Sequence, residues 1–308
     1  MSQNGFACSA FLKFAVTNVN GLVDTGIATQ TNGESYPYLI VRRDNELFDT
    51  ERNFFISPIC LTGVTKFEWE TVCRFIHEDL APYKIAGGFL QTRDTSTIEQ
   101  HKSIQEKGAY FVDKRTSFRL QTGLGVQAYI NSMKRDSRQR VRKLLKEKDK
   151  FTLRKAETEE DFNLFGEMYL NNAKKFDFDS LYCFDKEDWK HLYENDGFHL
   201  WLLSYEKKIV AGTILTKALD GLDYTFFAYD SSIKDISRAN LFFLYQQHLN
   251  QQDYLNLGGG IEENDTLARF KESMGGRAVG FKRYRFLIKN KGTEVTTGHL
   301  NRLRKRWP

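Results

Sequence analysis

Tyr229 and Asp230 close an aromatic run, LDYTFFAYD, and a short polar spacer later Ser237, Arg238 and Asn240 open an amphipathic one. Where a strand feeds a helix, a tyrosine can protonate a leaving group and an aspartate can accept a proton. Asp230 is equally the residue type of a turn or cap. The helix start is itself reactive ground. Its first N–H groups have no intrahelical acceptor, and with the helix dipole they face an incoming anion. Ser237, Arg238 and Asn240 could hold a phosphate there, although Ser237 also fits a plain N-cap. The next run, YLNLGGG, turns Asn256 away from the face of Leu255 and Leu257, as a structural amide or a site residue. Gly258, Gly259 and Gly260 follow without β-carbons, which permits positive φ and close approach to the backbone. Such a run is also an ordinary corner.

The flanking pattern says what must position these groups. Strand 222–229, helix 237–250 and strand 254–258 form a βαβ crossover, so the two strands should run parallel. Before it, FHLWLLSY, KIVAGTILTK and LDYTFFAYD read as a meander joined at Glu206-Lys207-Lys208 and Leu219-Asp220-Gly221. FTLRKA is a strand, Thr158 to Asp161 resembles a capping box, and Phe162, Phe165, Tyr169 and Ala173 continue one helical face. Asp185 caps a second helix. After the glycines, Asp265 is an N-cap for a helix carrying Leu267, Phe270 and Met274, Gly275 and Gly276 stop it, and Ala278 to Ile288 returns as a strand. In the N-terminal third, TGIATQ, YPYLIVRR, NFFIS, YKIAGGFL and AYFVDKRTSFRLQ read as strands, with helices expected at 66–80 and 95–107. That alternation predicts a layered α/β chain.

Of the 308 residues, 41% are hydrophobic and 28% charged, with 25 Phe and 14 Tyr against 4 Pro, which supplies a core and no proline-rich linker. Charge is uneven. Residues 134–150 carry nine Lys/Arg against three acids and the tail HLNRLRKRWP carries four and none, leaving −5 elsewhere. Local positive charge points to a partner or substrate with anionic groups. Tyr129–Lys148 reads as one long basic helix, with Arg138 and Arg142 as candidate contacts to an acceptor's phosphate. The bland alternative is a solvated face. No secretory pattern or apolar run of membrane-spanning length is present, and Cys8, Cys60, Cys73 and Cys183 are scattered, so a cytoplasmic, reduced chain is expected. The histidines share no metal-binding spacing and no metal is expected. Neither a nucleophile elbow nor a P-loop occurs, against hydrolase and NTPase readings.

The block NLGGG followed by TLARFKESMGG, the basic helix YINSMKRDSRQRVRKLLK and, in the first half, FFISP together resemble the Fem-type peptidyltransferases and their acyltransferase relatives, which carry the GNAT fold. The resemblance covers about residues 10–290. It implies an α/β (α+β) chain of tandem GNAT-like domains, a mixed sheet flanked by helices. Residues 1–128 would be a degenerate N-terminal copy, 129–150 the connecting helix, 151–290 the acyltransferase domain and 291–308 a basic tail. It implies transfer of an acyl or aminoacyl group, from acyl-CoA or aminoacyl-tRNA, to an amine of a cell-envelope (peptidoglycan-type) or sugar-nucleotide precursor, and so a possible tRNA partner. Lys271 matches the family lysine that stabilises charge on the transferred carbonyl; an exposed helix lysine is the alternative. Tyr229 and Asp230 are the accompanying catalytic candidates. Ser237, Arg238, Asn240, Asn256, Gly258 and Gly259 are the donor-binding ones. The chain departs from the pattern in lacking a glycine-bearing CoA loop at 232–239 and the helical arm of some Fem proteins. An RNA-binding module using the basic segments, and a scaffold that has lost its chemistry, are the other readings.

Overall fold

A computed structural model describes residues 22–29, 35–43, 53–56, 85–91, 109–178, 184, 186–194, 198–218, 221–248, 254–260 and 265–287. The helices expected at 66–80 and 95–107, Asp185 and the proposed tail lie outside the described residues. The chain divides into two compact units, residues 1–115 with 280–308, and residues 116–279. In the first, β1 (Leu22–Thr29), β2 (Ser35–Arg43), β3 (Asn53–Ile56) and β4 (Ile85–Gln91) are the strands read from the alternation in that segment. β1–β2 and β2–β3 pair antiparallel and β3–β4 pair parallel.

The second unit holds the candidate site. Its elements are the end of β5 (Ala109–Gln121), α1 (Val126–Ser132), α2 (Arg135–Leu144), β6 (Phe151–Lys155), α3 (Glu159–Lys175), α4 (Lys186–Tyr193), β7 (Phe198–Tyr205), β8 (Lys208–Ala218), β9 (Gly221–Tyr229), α5 (Ile236–Gln247), β10 (Tyr254–Gly259), α6 (Thr266–Ser273) and the start of β11 (Arg277–Leu287). The sheet runs β11-β5-β10-β9-β8-β7-β6, mixed and flanked by helices. The meander is antiparallel and the β9–α5–β10 crossover brings in the parallel pair. Glu206 and Lys207 both adopt positive φ, 48° and 69°, the left-handed pair that a two-residue hairpin turn needs to match strand twist.

Each face of this sheet has its own core. Leu241, Phe242, Leu244 and Tyr245 of α5 pack on Leu255, Leu257 and Leu215, with Tyr129 of α1 stacked on Tyr245 at 3.6 Å between centroids. Opposite, Phe165 and Tyr169 of α3, Trp189 of α4, Phe184 and Phe226 meet mostly edge to face. Aromatic pairs in that geometry add roughly 0.5–1.5 kcal/mol beyond their buried area. Gly166 keeps α3 against α4, because a β-carbon there would strike the Trp189 ring.

The basic segment is not one long helix. Met133 and Lys134 are extended between α1 and α2, and a 3₁₀ turn over Leu145–Lys150 follows. Ser132 Oγ donates to the Tyr129 carbonyl, and the Lys134 N–H goes to the Ser273 carbonyl of α6 in place of a helical partner. Side-chain competition for backbone carbonyls of this kind ends helices.

Candidate active site

β9 and β10 are joined along only part of their length. The parallel pairing covers Tyr254↔Gly221, Leu255↔Leu222 and Asn256↔Asp223, and then stops. β9 continues to Tyr229 against β8, and β10 continues to Gly259 against β5. Both strands change register at the parting. Thr225 is an extra residue in β9, between Ile214↔Phe226 and Leu215↔Tyr224. β10 is irregular between Asn256 and Gly259, where Gly258 takes a φ of 68°. A left-handed residue beside a bulge turns one strand away from its neighbour. The result is a fork with its vertex at the Asn256–Asp223 rung.

The unpaired edge of β9 is closed at its far end by a side chain. Buried Asn172 of α3 donates from Nδ2 to the Tyr229 carbonyl at 2.9 Å and accepts the Tyr229 N–H at Oδ1, 3.0 Å. It stands where a strand partner would be. The Asp230 N–H points the other way, to the Val210 carbonyl of β8. By two-residue alternation the main-chain groups of Phe227 face the fork. The Tyr229 ring stacks between Phe227, 5.2 Å away, and exposed Phe176, 6.3 Å away. Asp230 is held in the turn: its Oδ1 accepts from the Ser232 N–H and hydroxyl and its Oδ2 from Lys208. These bonds hold its carboxyl below the usual range, the Ser232 hydroxyl first among them.

The helix that follows β9 starts at Ile236, one residue earlier than a Ser237 cap requires. Asp235 is the N-cap, in the left-handed region at φ 60°, and its side chain makes no capping bond. Its carboxylate instead accepts from Arg140 of α2 and from Arg238, both at 3.1 Å. Arg140 also donates to Asp136 on its own helix. The N–H groups of Ile236 and Ser237 precede the first intrahelical donors, Arg238 and Ala239, which both bond to the Asp235 carbonyl. Of the basic-helix residues singled out from sequence, Arg138 is half-buried and Arg142 exposed; Arg140 is the one bonded at the start of α5. Asn240 lies under the helix, not at its mouth. It is fully enclosed, donating to Thr213 at 2.7 Å and to the Tyr224 hydroxyl at 3.3 Å.

Lys271 is not an exposed helix lysine. It is 92% buried, and its Nζ donates to the Gly259 carbonyl at 2.5 Å, where β10 leaves the fork. A β-carbon on Gly258 would lie 3.7 Å from that nitrogen. Burial pushes the ammonium down to about 8, opposed in part by Asp265. Asp265 caps α6, accepting from the Ala268 N–H at 2.7 Å, and so fixes the helix that carries Lys271. The C-terminal end of α6 is tied to α2 by Lys134–Glu272 and by Ser137–Ser273. Gly259 lets β10 lie close to β5, since a β-carbon there would come 2.6 Å from the Thr116 carbonyl.

Asn256 closes the vertex. Its Oδ1 accepts the Gly258 N–H at 3.1 Å and its Nδ2 donates to Asp223 Oδ1 at 2.8 Å. Four polar residues, Arg119, Asn256, Asp223 and Thr216, are register partners across β5, β10, β9 and β8. The structure thus gathers Asn256, Gly258, Gly259 and Lys271 at one end of the fork and Arg238 and Ser237 at the helix start. It adds Asp223, Asp235 and Asn172, which local pattern did not mark, and selects Arg140 from the cations of the basic segment. Among the described residues no group of His, Cys, Asp and Glu is placed to hold a metal, and no helix is long and apolar enough to cross a membrane.

This arrangement, a parallel pair joined along only part of its length within a mixed sheet flanked by helices, is a fold that the chain shares with FemX. The FemX crystal structure superposes with a TM-score of 0.61 at 12% identity, over 92% of this chain and 96% of that one. A conserved protein of unknown function from Bacteroides thetaiotaomicron also gives 0.61 at 12% identity, over 92% of each chain. The C-terminal DUF2156 domain of a proposed lysylphosphatidylglycerol synthetase from Agrobacterium fabrum gives 0.54 at 11%, again over 92% of each. No family model matches the sequence, and no curated protein matches it either.

Proposed function

We propose that the chain is an N-acyltransferase. It moves an acyl or aminoacyl group from a thioester or an aminoacyl-tRNA to an amine of a cell-envelope or sugar-nucleotide precursor. The observation that carries this reading is the fork itself, with the buried ammonium of Lys271 at its β10 side and α5 following the β9 side. The acceptor nitrogen attacks the donor carbonyl carbon, the C–N bond forms, and the C–S or C–O bond breaks as the thiol or hydroxyl leaves with a proton. Negative charge builds on the carbonyl oxygen in between. A preorganised cation at that point is worth about 3–4 kcal/mol, or 10²–10³-fold in rate. Lys271 supplies it, with burial strengthening the attraction.

The donor's phosphates are assigned to the N–H groups of Ile236 and Ser237 with Arg140 and Arg238. Two guanidinium groups then take the part that backbone N–H groups play in a glycine-bearing loop, which this chain lacks. Tyr229 contributes its ring to the wall of the fork. Other cations of the basic segment are already paired within the protein, as in Lys134–Glu272 and Lys150–Glu206, which weakens the case for a bare nucleic-acid track.

The test is a thermal-shift panel of acyl-CoAs, aminoacyl-tRNAs and nucleotide sugars, followed by transfer assays with the donor found. A true donor at 100 times its Kd should add about 2.7 kcal/mol of stability. Lys271→Ala should fold and bind it yet lose about 10²–10³-fold in turnover. Unchanged turnover would remove the role of Lys271. Absence of any response to the whole panel would remove the reading.

A further inference from the structure

Of the nine cations between residues 134 and 150, three are paired inside the protein: Lys134 with Glu272, Arg140 with Asp136 and Asp235, and Lys150 with Glu147 and Glu206. The other six, Arg135, Arg138, Arg142, Lys143, Lys146 and Lys148, have no side-chain partner among the described residues. Arg138 is half-buried and the rest are exposed. Buried Ser137 and Val141 mark the inner side of α2, and Leu144 and Leu145 also pack inward on buried side chains. At about 100° per residue, Arg135 and Arg142 lie on the outer side two turns apart, flanked by Arg138 and Lys143. Lys146 and Lys148 continue the charge through the 3₁₀ turn. This convex cationic face belongs to the helix that is bonded to the start of α5 through Arg140 and to the end of α6 through Lys134 and Ser137.

Arg135–Arg138 and Arg138–Arg142 are like-charge pairs at i,i+3 and i,i+4, which weaken a helix. A polyanion laid against the face relieves that repulsion, and the form of the face selects which polyanion. Surfaces that hold RNA strands combine a basic groove with aromatic platforms for the bases. This face is convex, and the segment 134–150 contains no aromatic residue. Exposed acids, Asp136, Glu147 and Asp149, also stand among the cations. Phosphates fixed along a strand would be pressed against those acids. Mobile lipid headgroups can gather at the cations and leave the acids bare. Insertion into hydrocarbon is closed off, because the apolar side of α2 is already packed in the core. We propose that the outer face of α2 docks the protein on an anionic lipid bilayer by charge alone. The docking is independent of the transfer chemistry. Its use, holding the protein where a lipid-borne amine acceptor is confined, rests on the acyltransfer reading.

The test is flotation of the full chain with vesicles of phosphatidylcholine, alone or mixed two-to-one with phosphatidylglycerol. At about 0.1 M sodium chloride the protein should float only with the anionic vesicles. At about 1 M, where the Debye length falls to about 3 Å, it should be released. A cation near an acidic surface contributes about 5-fold in affinity, so the variant Arg135→Gln, Arg142→Gln, Lys146→Gln should bind about 10²-fold more weakly. The variant Arg135→Lys, Arg142→Lys keeps the charge and should bind as the native chain does, since no bidentate contact is required. Urea unfolding of each variant checks that the fold is kept; should the glutamine variant not fold, the salt series and the lysine variant decide. Equal binding to both kinds of vesicle, no binding at low salt, or retention at high salt overturns the proposal. So does a glutamine variant that binds like the native chain, which would put the binding elsewhere. Transfer RNA that displaces the vesicles at equal phosphate concentration, and whose own binding the glutamine variant loses, would assign the face to nucleic acid and likewise overturn it. None of these measurements uses an acyl donor, so their failure leaves the acyltransfer reading to its own panel.

Discussion

Replacing Lys271 by Met should separate stability from function in a pH-dependent way. The ammonium of Lys271 is almost fully buried, and its folded pKa is about 8 against 10.5 in the open chain. At 1.36 kcal/mol per unit, that gap represents about 3 kcal/mol of strain from carrying the charged form. The sign follows from proton binding. Between those two values the unfolded chain holds the proton and the folded one has released it, so stability rises with pH there. The penalty is fully present below about 8 and relieved as pH climbs to 10.5. Met removes the charge at similar length but leaves the Gly259 carbonyl without its donor, a loss of about 1–3 kcal/mol. The variant should therefore be between equal and about 2 kcal/mol more stable than the native chain at neutral pH. That advantage should shrink and reverse as the native lysine is neutralised. Urea unfolding of both chains across this pH range provides the assay, their difference cancelling every other titrating group. A difference that is flat with pH would show that Lys271 is not desolvated and refute the argument.

Asn172→Ala should cost about 2–4 kcal/mol, since it leaves the N–H and carbonyl of Tyr229 unpaired at the fork edge; chemical denaturation measures it. Gly221→Ala should lower the melting temperature and loosen the β9–β10 rungs in hydrogen exchange, because its β-carbon would run into the Tyr254 backbone at a φ of 146°. Normal protection at those rungs would contradict this. Asp161, bonded first of all by Arg154, has its carboxyl lowered to about 2 from 3.8, so its contribution is present above 3.8 and lost as pH falls toward 2. Arg154 is 44% exposed, so solvent screening reduces the contribution to about 1 kcal/mol. Acid titration of stability in Asp161→Asn should lack that limb. The double variant Arg140→Ala with Arg238→Ala should weaken CoA binding at least 10-fold at constant salt, read by calorimetry, if those arginines hold phosphate. Unchanged affinity would dismiss them.

Elements with a local signal were legible in the sequence. Asp265 caps α6 and Thr158 caps α3 as their spacing predicts, and the meander and crossover follow from alternation and turn residues. What pattern could not supply is partnership between distant strands. Asp223 is an unremarkable acid at a strand's beginning until the crossover sets it opposite Asn256. Arg140 is one of nine cations in its segment, and only the packing of α2 against the start of α5 selects it over Arg138 and Arg142. Lys271 on a short amphipathic helix carries no mark of burial; that comes from α6 lying on the end of β10. Ser237 looked like the cap because Asp235 takes a left-handed conformation that sequence seldom announces.

The central claim is that a donor enters the gap between β9 and β10. Backbone hydrogen exchange over 223–229, 236–240 and 255–259, with and without a donor from the panel that raises the melting temperature, tests it most directly. Slower exchange concentrated in those three stretches is the predicted outcome. A stabilising donor that slows exchange elsewhere and leaves all three unchanged would contradict the claim.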